Sequence, residues 1–294
     1  MQPATFNLPT FQLGLIGYPL GHSLSPKIHT AALKACGLQG DYSLFPIHPD
    51  DQQGLKDLLA RVRSGEITGL NVTIPHKQNV IPLLDELTDT AKSIGAVNTI
   101  YLRDNKLIGH NTDAQGFLTD LKRCITLECN GLPLHMQEQV PALQKRALVL
   151  GAGGSARAVV YALVNDGWDV TIAARRIEQA QGLASSFTNY ELLIIDFSDL
   201  QPSTFDLLVN TTPIGMTPNI DQSPLPEKLP LPSNAFIYDL VYNPRETKLV
   251  KDARAQGLSA TTGLGMLIEQ AALAFEIWTG HNPPRNVLWN ATDN

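Results

Sequence analysis

Arg146-Ala147-Leu148-Val149-Leu150-Gly151-Ala152-Gly153-Gly154-Ser155-Ala156-Arg157 is an apolar run that stops at glycine, and helical spacing over residues 158–165 follows it. Strand, small-residue turn and helix start together make a dinucleotide fingerprint, here with alanine at the third small position. Gly151 permits the tight turn, Gly153 lets the backbone approach a pyrophosphate, and Ala156 keeps helix and strand close, with Ala152, Gly154 and Ser155 completing the loop. The next strand-like run, residues 169–173, ends at Ala174-Arg175-Arg176, where an NAD site carries an acidic residue for the ribose hydroxyls. Two guanidiniums suit a 2′-phosphate, so this stretch predicts NADP. An ordinary arginine pair at a helix start is the competing explanation, and the positive helix end disfavours it. Strand-like runs at 191–195, 207–211 and 236–240, a helix at 247–255 and a short segment at 258–260 continue a parallel sheet of Rossmann type.

Upstream, residues 11–16 alternate like a strand and run into Gly17-Tyr18-Pro19-Leu20-Gly21-His22-Ser23-Leu24-Ser25-Pro26, ahead of helical spacing over 27–35. The loop therefore delivers Ser23 and Ser25 to a helix N-terminus, an end that favours an anion, although Ser25 equally suits a plain helix cap followed by proline. Strand, helix and strand patterns at 42–47, 51–63 and 67–74 imply a parallel arrangement here too. The third strand ends at Asn71-Val72-Thr73-Ile74-Pro75-His76-Lys77, where proline stops the ladder and presents Thr73 and Lys77 at the strand's carboxyl end. Open α/β sheets bind ligands there, and a solvated lysine after a turn is the plain alternative. After two short helical patterns, Asn98 and Thr99 precede a hairpin turning at Asp104-Asn105. Asn111-Thr112-Asp113 then leads into helical spacing over 114–123, where Asp113 also fits an N-cap. Residues 126–145, with Pro133, Pro141 and several glutamines, are expected to be an irregular interdomain connection. From Gly263 a long helix runs to Gly280 and carries Gln270, which also fits its polar face; residues 283–289 make a last short helix.

The expected fold is α/β with two domains. Residues 1–112 and 263–294 should form an α/β substrate-binding and catalytic domain with a mainly parallel sheet, and residues 113–262 an NADP-binding Rossmann domain. A chain of 294 residues that is 43% hydrophobic can bury two cores. Its net charge of -6 argues against a nucleic-acid or anionic-membrane surface. Residues 1–10 lack a signal-peptide pattern, and no apolar run approaches the roughly 18 residues of a membrane span, so a cytoplasmic location is expected. Cys36, Cys124 and Cys129 cannot all pair and have no metal-ligand spacing, so reduced thiols are expected, and the seven histidines include no closely spaced pair, so no metal is expected.

In their order along almost the whole chain, the stretches 21–26, 71–77, 95–99, 111–113, the glycine loop, 238–242 and 263–270 resemble the shikimate dehydrogenase family. Each is weak alone; seven in family order are specific. The resemblance implies an oxidoreductase that reversibly reduces 3-dehydroshikimate to shikimate with NADPH, in aromatic amino-acid biosynthesis. It implies Ser23 and Ser25 on the substrate carboxylate, Thr73, Asn98, Asp113, Tyr242 and Gln270 around the ring hydroxyls, and Lys77 with Asp113 as the catalytic pair. Cofactor positions implied in the same way are Gly151, Ala152, Gly153, Gly154, Ser155, Ala156, Ala174, Arg175, Arg176 and on to Gln179, with Leu240, Gly263 and Asp89. The family commonly has Asn-Arg-Thr or Asn-Arg-Ser where this chain has Ala174-Arg175-Arg176, so an amide is missing and a cation is gained. The connection 126–145 is also longer than the family needs. Two rival readings are an NAD-using quinate/shikimate dehydrogenase, which the arginines disfavour, and a metabolite sensor without turnover on the same scaffold. Lys77 with Asp113 and the lack of an appended DNA-binding module speak against the sensor. The expected partner is a small-molecule substrate, with no nucleic acid and no membrane, for a monomer or homodimer.

Overall fold

The computed structural model describes residues 10–131, 145–201, 205–226, 229–232 and 234–293. The chain divides into two units, Met1–Lys92 with Ala96–Thr112 and Gln270–Asn294, and Ser93–Gly95 with Asp113–Glu269. The return to the first unit comes at Gln270 rather than at Gly263, because a single helix runs across that stretch of sequence.

The first unit begins with β1 (Thr10–Gly17), α1 (Ser25–Ala35), β2 (Gln39–Pro46), α2 (Gln52–Arg63), β3 (Gly69–Val72) and the single-turn α3 (His76–Asn79). Then come β4 (Glu86–Leu87), α4 (Asp89–Ile94), whose last two residues group with the second unit, and the hairpin β5 (Thr99–Arg103) and β6 (Lys106–His110). Their sheet has the order β2-β1-β3-β5-β6-β4. β1 is parallel to β2 and β3, β5 is antiparallel to both its neighbours, and β4 is parallel to β6. Asp104 and Asn105, at φ 50 and 58, take the left-handed conformations that a two-residue hairpin loop requires. α2 presents Leu55, Leu58, Leu59 and Val62 on one face, and they pack on Ile16, Leu70, Val72 and Ile100 of the sheet. The strand expected over 67–74 is shorter: only Gly69–Val72 is a strand, and Lys77 lies in the short helix α3.

Register decides what these strands present. Ile16 is opposite Val72 and Gly17 opposite Pro46, so the carboxyl ends of β1, β2 and β3 share one edge. Asn71 is opposite Thr99, and Thr99 opposite His110, which brings the start of β5 and the end of β6 to the same edge.

The second unit contains α5 (Asp113–Gly131), β7 (Arg146–Leu150), α6 (Gly154–Asn165), β8 (Asp169–Ala174), α7 (Ile177–Ala184) and β9 (Leu193–Asp196). β10 (Leu207–Asn210), β11 (Phe236–Asp239), α8 (Lys248–Ala255) and β12 (Ala260–Thr262) follow, then the first turns of α9 (Leu264–Thr279). The rest of α9 and α10 (Arg285–Asn290) belong to the first unit. α5 continues to Gly131, so residues 126–131 are helical and not irregular as expected, while 132–144 lie outside the described residues. The six strands are all parallel in the order β12-β11-β10-β7-β8-β9. Read from β9, that is the 3-2-1-4-5-6 order of a doubly wound sheet, with its switch point between β7 and β10. Leu148, Leu150, Leu208 and Ile237 pack on Leu249, Val250 and Ala253 of α8.

Candidate active site

In the first unit the loop after β1 is pinned by backbone groups. Tyr18 N–H donates to the Ile74 carbonyl at 3.0 Å, Ser23 N–H to Leu20 at 3.1 Å, and Ile47 N–H to Gly17 at 3.1 Å. A side chain at Gly17 would collide with the Thr73 methyl and Leu20, so glycine is what lets this loop lie against Thr73. Ser25 N–H donates to Ser23 Oγ at 3.2 Å. Ser25 is not the helix cap it was expected to suit: Leu24 holds the N-cap position and makes no side-chain cap bond, and Ser25 is a buried first residue of α1. The uncapped end keeps its attraction for an anion.

Lys77 is only 8% exposed, which removes the solvated-lysine alternative. Its carbonyl accepts from Val97 N–H at 2.7 Å, tying α3 to the segment before β5. His76, also buried, meets the Ile47 carbonyl through Nε2 at 2.7 Å. Asn98 follows, held by Val72 N–H donating to its carbonyl at 2.8 Å. Its side-chain Oδ1 accepts from Thr99 Oγ1 at 2.9 Å and from Thr112 N–H at 2.8 Å. Its Nδ2 donates to Thr112 Oγ1 at 2.9 Å and to Gln270 Oε1 at 3.2 Å. The structure thus brings Asn98 and Gln270 together. Behind them Asn71 Nδ2 donates to the Asn98 carbonyl at 3.3 Å, and Tyr42 donates its hydroxyl proton to Asn71 Oδ1 at 2.8 Å. Asn71, Thr99 and Thr112 were not assigned roles from sequence. Only the pairing of β3, β5 and β6 reveals them as supports of Asn98.

In the second unit Gly151, at φ 105, donates its N–H to Ala173 at 2.8 Å. A Cβ there would stand 2.8 Å from Thr211 Oγ1, which itself donates to the Leu150 carbonyl at 2.6 Å. Glycine is therefore required twice, by conformation and by space. Gly153 caps α6 in extended conformation with no side-chain bond to the helix end, and a Cβ on it would meet nothing within 4 Å. Ala156 is fully buried between helix and sheet, Ala152 is buried, and Gly154 and Ser155 are half-buried. The backbone at Gly153 therefore faces open space at a helix start, and this loop fits a pyrophosphate. Ala174 ends β8 buried, whereas Arg175 and Arg176 are exposed at the start of α7. Leu240 N–H donates to the Asn210 carbonyl at 2.9 Å, and a Cβ on Gly263 would collide with the Leu240 carbonyl. Tyr242 follows, half-buried. Asp113 is 4% exposed and opens α5 in this unit, while Lys77 stands on α3 in the other. Asp89 is exposed in the first unit and pairs with Lys92 at 3.8 Å. Among the described residues no group of three or more His, Cys, Asp or Glu could hold a metal ion, and no helix is long and apolar enough to cross a membrane.

Comparison with known proteins gives family matches over most of this chain. The family model described as the shikimate dehydrogenase substrate binding domain matches residues 15–100, shikimate / quinate 5-dehydrogenase matches 135–250, and the shikimate 5'-dehydrogenase C-terminal domain matches 263–291. The shikimate dehydrogenase (NADP(+)) of Bacillus subtilis (strain 168) is 39% identical over 274 residues, spanning 92% of each chain. The shikimate 5-dehydrogenase of Thermus thermophilus, solved in complex with NADP(H) and shikimate, superimposes with a TM-score of 0.81 at 37% identity, covering 96% of this chain and 98% of that one. Quinate dehydrogenase from Corynebacterium glutamicum, solved in complex with NAD, has a TM-score of 0.80 at 33% identity, covering 96% and 98%.

Proposed function

The chain belongs to the shikimate dehydrogenase family, and on that premise we propose that it reversibly reduces 3-dehydroshikimate to shikimate with NADPH, in aromatic amino-acid biosynthesis. The observation that carries this reading is the carboxyl edge of the first sheet. There parallel pairing of β1, β2 and β3 brings the segments bearing Ser23, Ser25, Thr73 and Lys77 to one side, with Asn98 bonded to Gln270 at 3.2 Å.

Ser23 and Ser25 hold the substrate carboxylate at the uncapped end of α1. Thr73, Asn98, Asp113, Tyr242 and Gln270 distinguish the ring oxygens. A site whose buried amides are wired this way rejects analogues that lack a hydroxyl, because the missing partner leaves a polar group unsatisfied. NADPH, when bound, supplies the hydride. Lys77 as ammonium gives a proton to the carbonyl oxygen as charge builds on it, and accepts one in the reverse direction, with Asp113 orienting the ammonium and a substrate hydroxyl. Residues 151–156 hold the pyrophosphate, and Arg175 and Arg176 hold the 2′-phosphate. Asp89 is a further cofactor position in this proposal, as are Ala174, Leu240 and Gly263. The enzyme works in the cytoplasm on a small-molecule substrate, as a monomer or homodimer.

The test follows reduced nicotinamide by absorbance with purified protein and shikimate or quinate, each with NADP or NAD. Shikimate with NADP should be the preferred pair. Preference for quinate and NAD would replace this reading with that of the Corynebacterium relative. Arg175→Asp should weaken NADP by about 1.5 to 3 kcal/mol while changing NAD little. Equal losses with both cofactors would show that the arginines do not read the phosphate.

A further inference from the structure

Asp239 ends β11 as a fully buried carboxylate with three donors. Asn210 Nδ2 donates to its Oδ1 at 2.8 Å, Val241 N–H to the same oxygen at 3.0 Å, and Thr247 Oγ1 to its Oδ2 at 2.7 Å. Asn210 and Thr247 are fully buried as well. Each passes the connection on. Asn210 Oδ1 accepts from Thr212 N–H at 3.0 Å and Thr212 Oγ1 at 2.7 Å, and Thr247 Oγ1 accepts from Val250 N–H at 3.3 Å, capping α8. Two loops at the carboxyl ends of neighbouring parallel strands, 211–217 and 240–247, are thereby fastened to one buried charge, and Thr217 N–H adds a bond to the Asn243 carbonyl at 3.0 Å.

Burying a carboxylate costs several kcal/mol, and hydrogen bonds from neutral donors offset only part of that cost. A charge kept among uncharged donors therefore contributes geometry more than stability. What it places is specific: Val241 N–H fixes the turn between Leu240 and Tyr242, and Asn210 fixes the loop whose Thr211 lies against Gly151. We infer that Asp239 is a positioning residue for the reaction, which with Asn210 and Thr247 sets the turn carrying Leu240 and Tyr242 and the loop beside the glycine turn. This inference rests on the proposed function for the roles of Leu240 and Tyr242.

Asp239→Asn keeps the shape but sets one amide N–H2 against donors. Thr247→Val removes one donor, and Thr247→Ser restores it. Each variant is taken through thermal unfolding, NADPH binding by fluorescence and steady-state kinetics with shikimate. Asp239→Asn should fold, with KM for shikimate raised about tenfold and NADPH bound several-fold more weakly. Thr247→Val should shift the same constants in the same direction, and Thr247→Ser should return them to wild-type values. Unchanged constants in Asp239→Asn, or a loss of thermal stability alone, would reduce the network to a structural one and overturn the inference. If Asp239→Asn does not fold, the Thr247 pair decides by the same criteria. Wild-type protein that binds NADPH but does not oxidise shikimate would overturn the proposed function instead, and the NADPH titrations of the variants would still decide the role of Asp239.

Discussion

His29 lies fully buried on α1, stacked on Tyr42 with ring centroids 4.4 Å apart and planes 3° from parallel, and 5.4 Å from Trp278. Burial lowers its pKa from 6.5 to about 3, against a smaller upward pull from Asn71. The unfolded chain takes up this proton below 6.5 and the folded chain does not until about 3, so the stability it contributes is complete above 6.5 and falls as pH drops. At pH 5 the loss should be about 2 kcal/mol. His29→Phe keeps a ring in the stack and should flatten this part of a denaturant-melt series; curves that stay parallel to wild type would refute it. Asp239 acts with the opposite sign. Burial raises its pKa from 3.8 to about 6 despite the hydrogen bonds from Thr247, Val241 and Asn210. Below 3.8 both states are protonated, and between there and 6 the folded state holds the extra proton, so rising pH removes stability, by about 3 kcal/mol at neutrality. Relative to wild type, Asp239→Asn should gain stability as pH rises from about 4 to about 7, and a constant difference over that range would contradict the assignment. Neither effect was legible in the sequence. A histidine in a helix and an aspartate at a strand end look the same whether solvated or buried, and only the packing of Trp278 and Thr247 against them decides.

Helix ends show where local chemistry predicts structure and where it does not. Asp51 caps α2, its side chain accepting from Gly54 N–H at 2.8 Å, so Asp51→Ala should lower unfolding stability by about 1 kcal/mol. Ser25 looked like an equally good cap but makes no such bond, because α1 starts one residue earlier, after Leu24. Ser25→Ala should therefore spare the cap energy while weakening shikimate binding about tenfold, as expected for a lost hydrogen bond to a charged group. A stability loss matching that of Asp51→Ala, with shikimate binding unchanged, would return Ser25 to a structural role. The hairpin at Asp104-Asn105 was readable because few residue types tolerate two successive left-handed positions. The two-residue strand β4 was not readable, since no period can be recognised in Glu86–Leu87 and its partner β6 is distant in sequence. α5 outran its expected end because residues 124–131 contain no proline; Pro133 and Pro141, which mark the connection as irregular, lie beyond it.

The two-domain α/β plan was legible because strand, glycine turn and helix repeat with short spacing, and parallel sheets follow from that repeat. Candidate residues next to strand ends, such as Thr73 and Lys77, could be named for the same reason. What sequence could not supply was the register that sets Asn71, Thr99 and Thr112 around Asn98, since β5 returns antiparallel to β3 through a long-range pairing. Nor could it show that the change of unit falls inside α9, at Gln270, where no breaker interrupts the helical pattern. Catalysis by Lys77 with Asp113 is the step on which the proposed function depends. Its test is the turnover of shikimate with NADP by Lys77→Ala, Asp113→Asn and the double variant, with NADPH affinity measured alongside. Lys77→Ala should lose about 100- to 10,000-fold in kcat with NADPH affinity nearly unchanged, and the double variant should be little worse than the worse single one, as groups sharing one proton transfer are non-additive. Turnover by Lys77→Ala close to wild type, or losses that multiply in the double variant, would contradict a shared proton-transfer step.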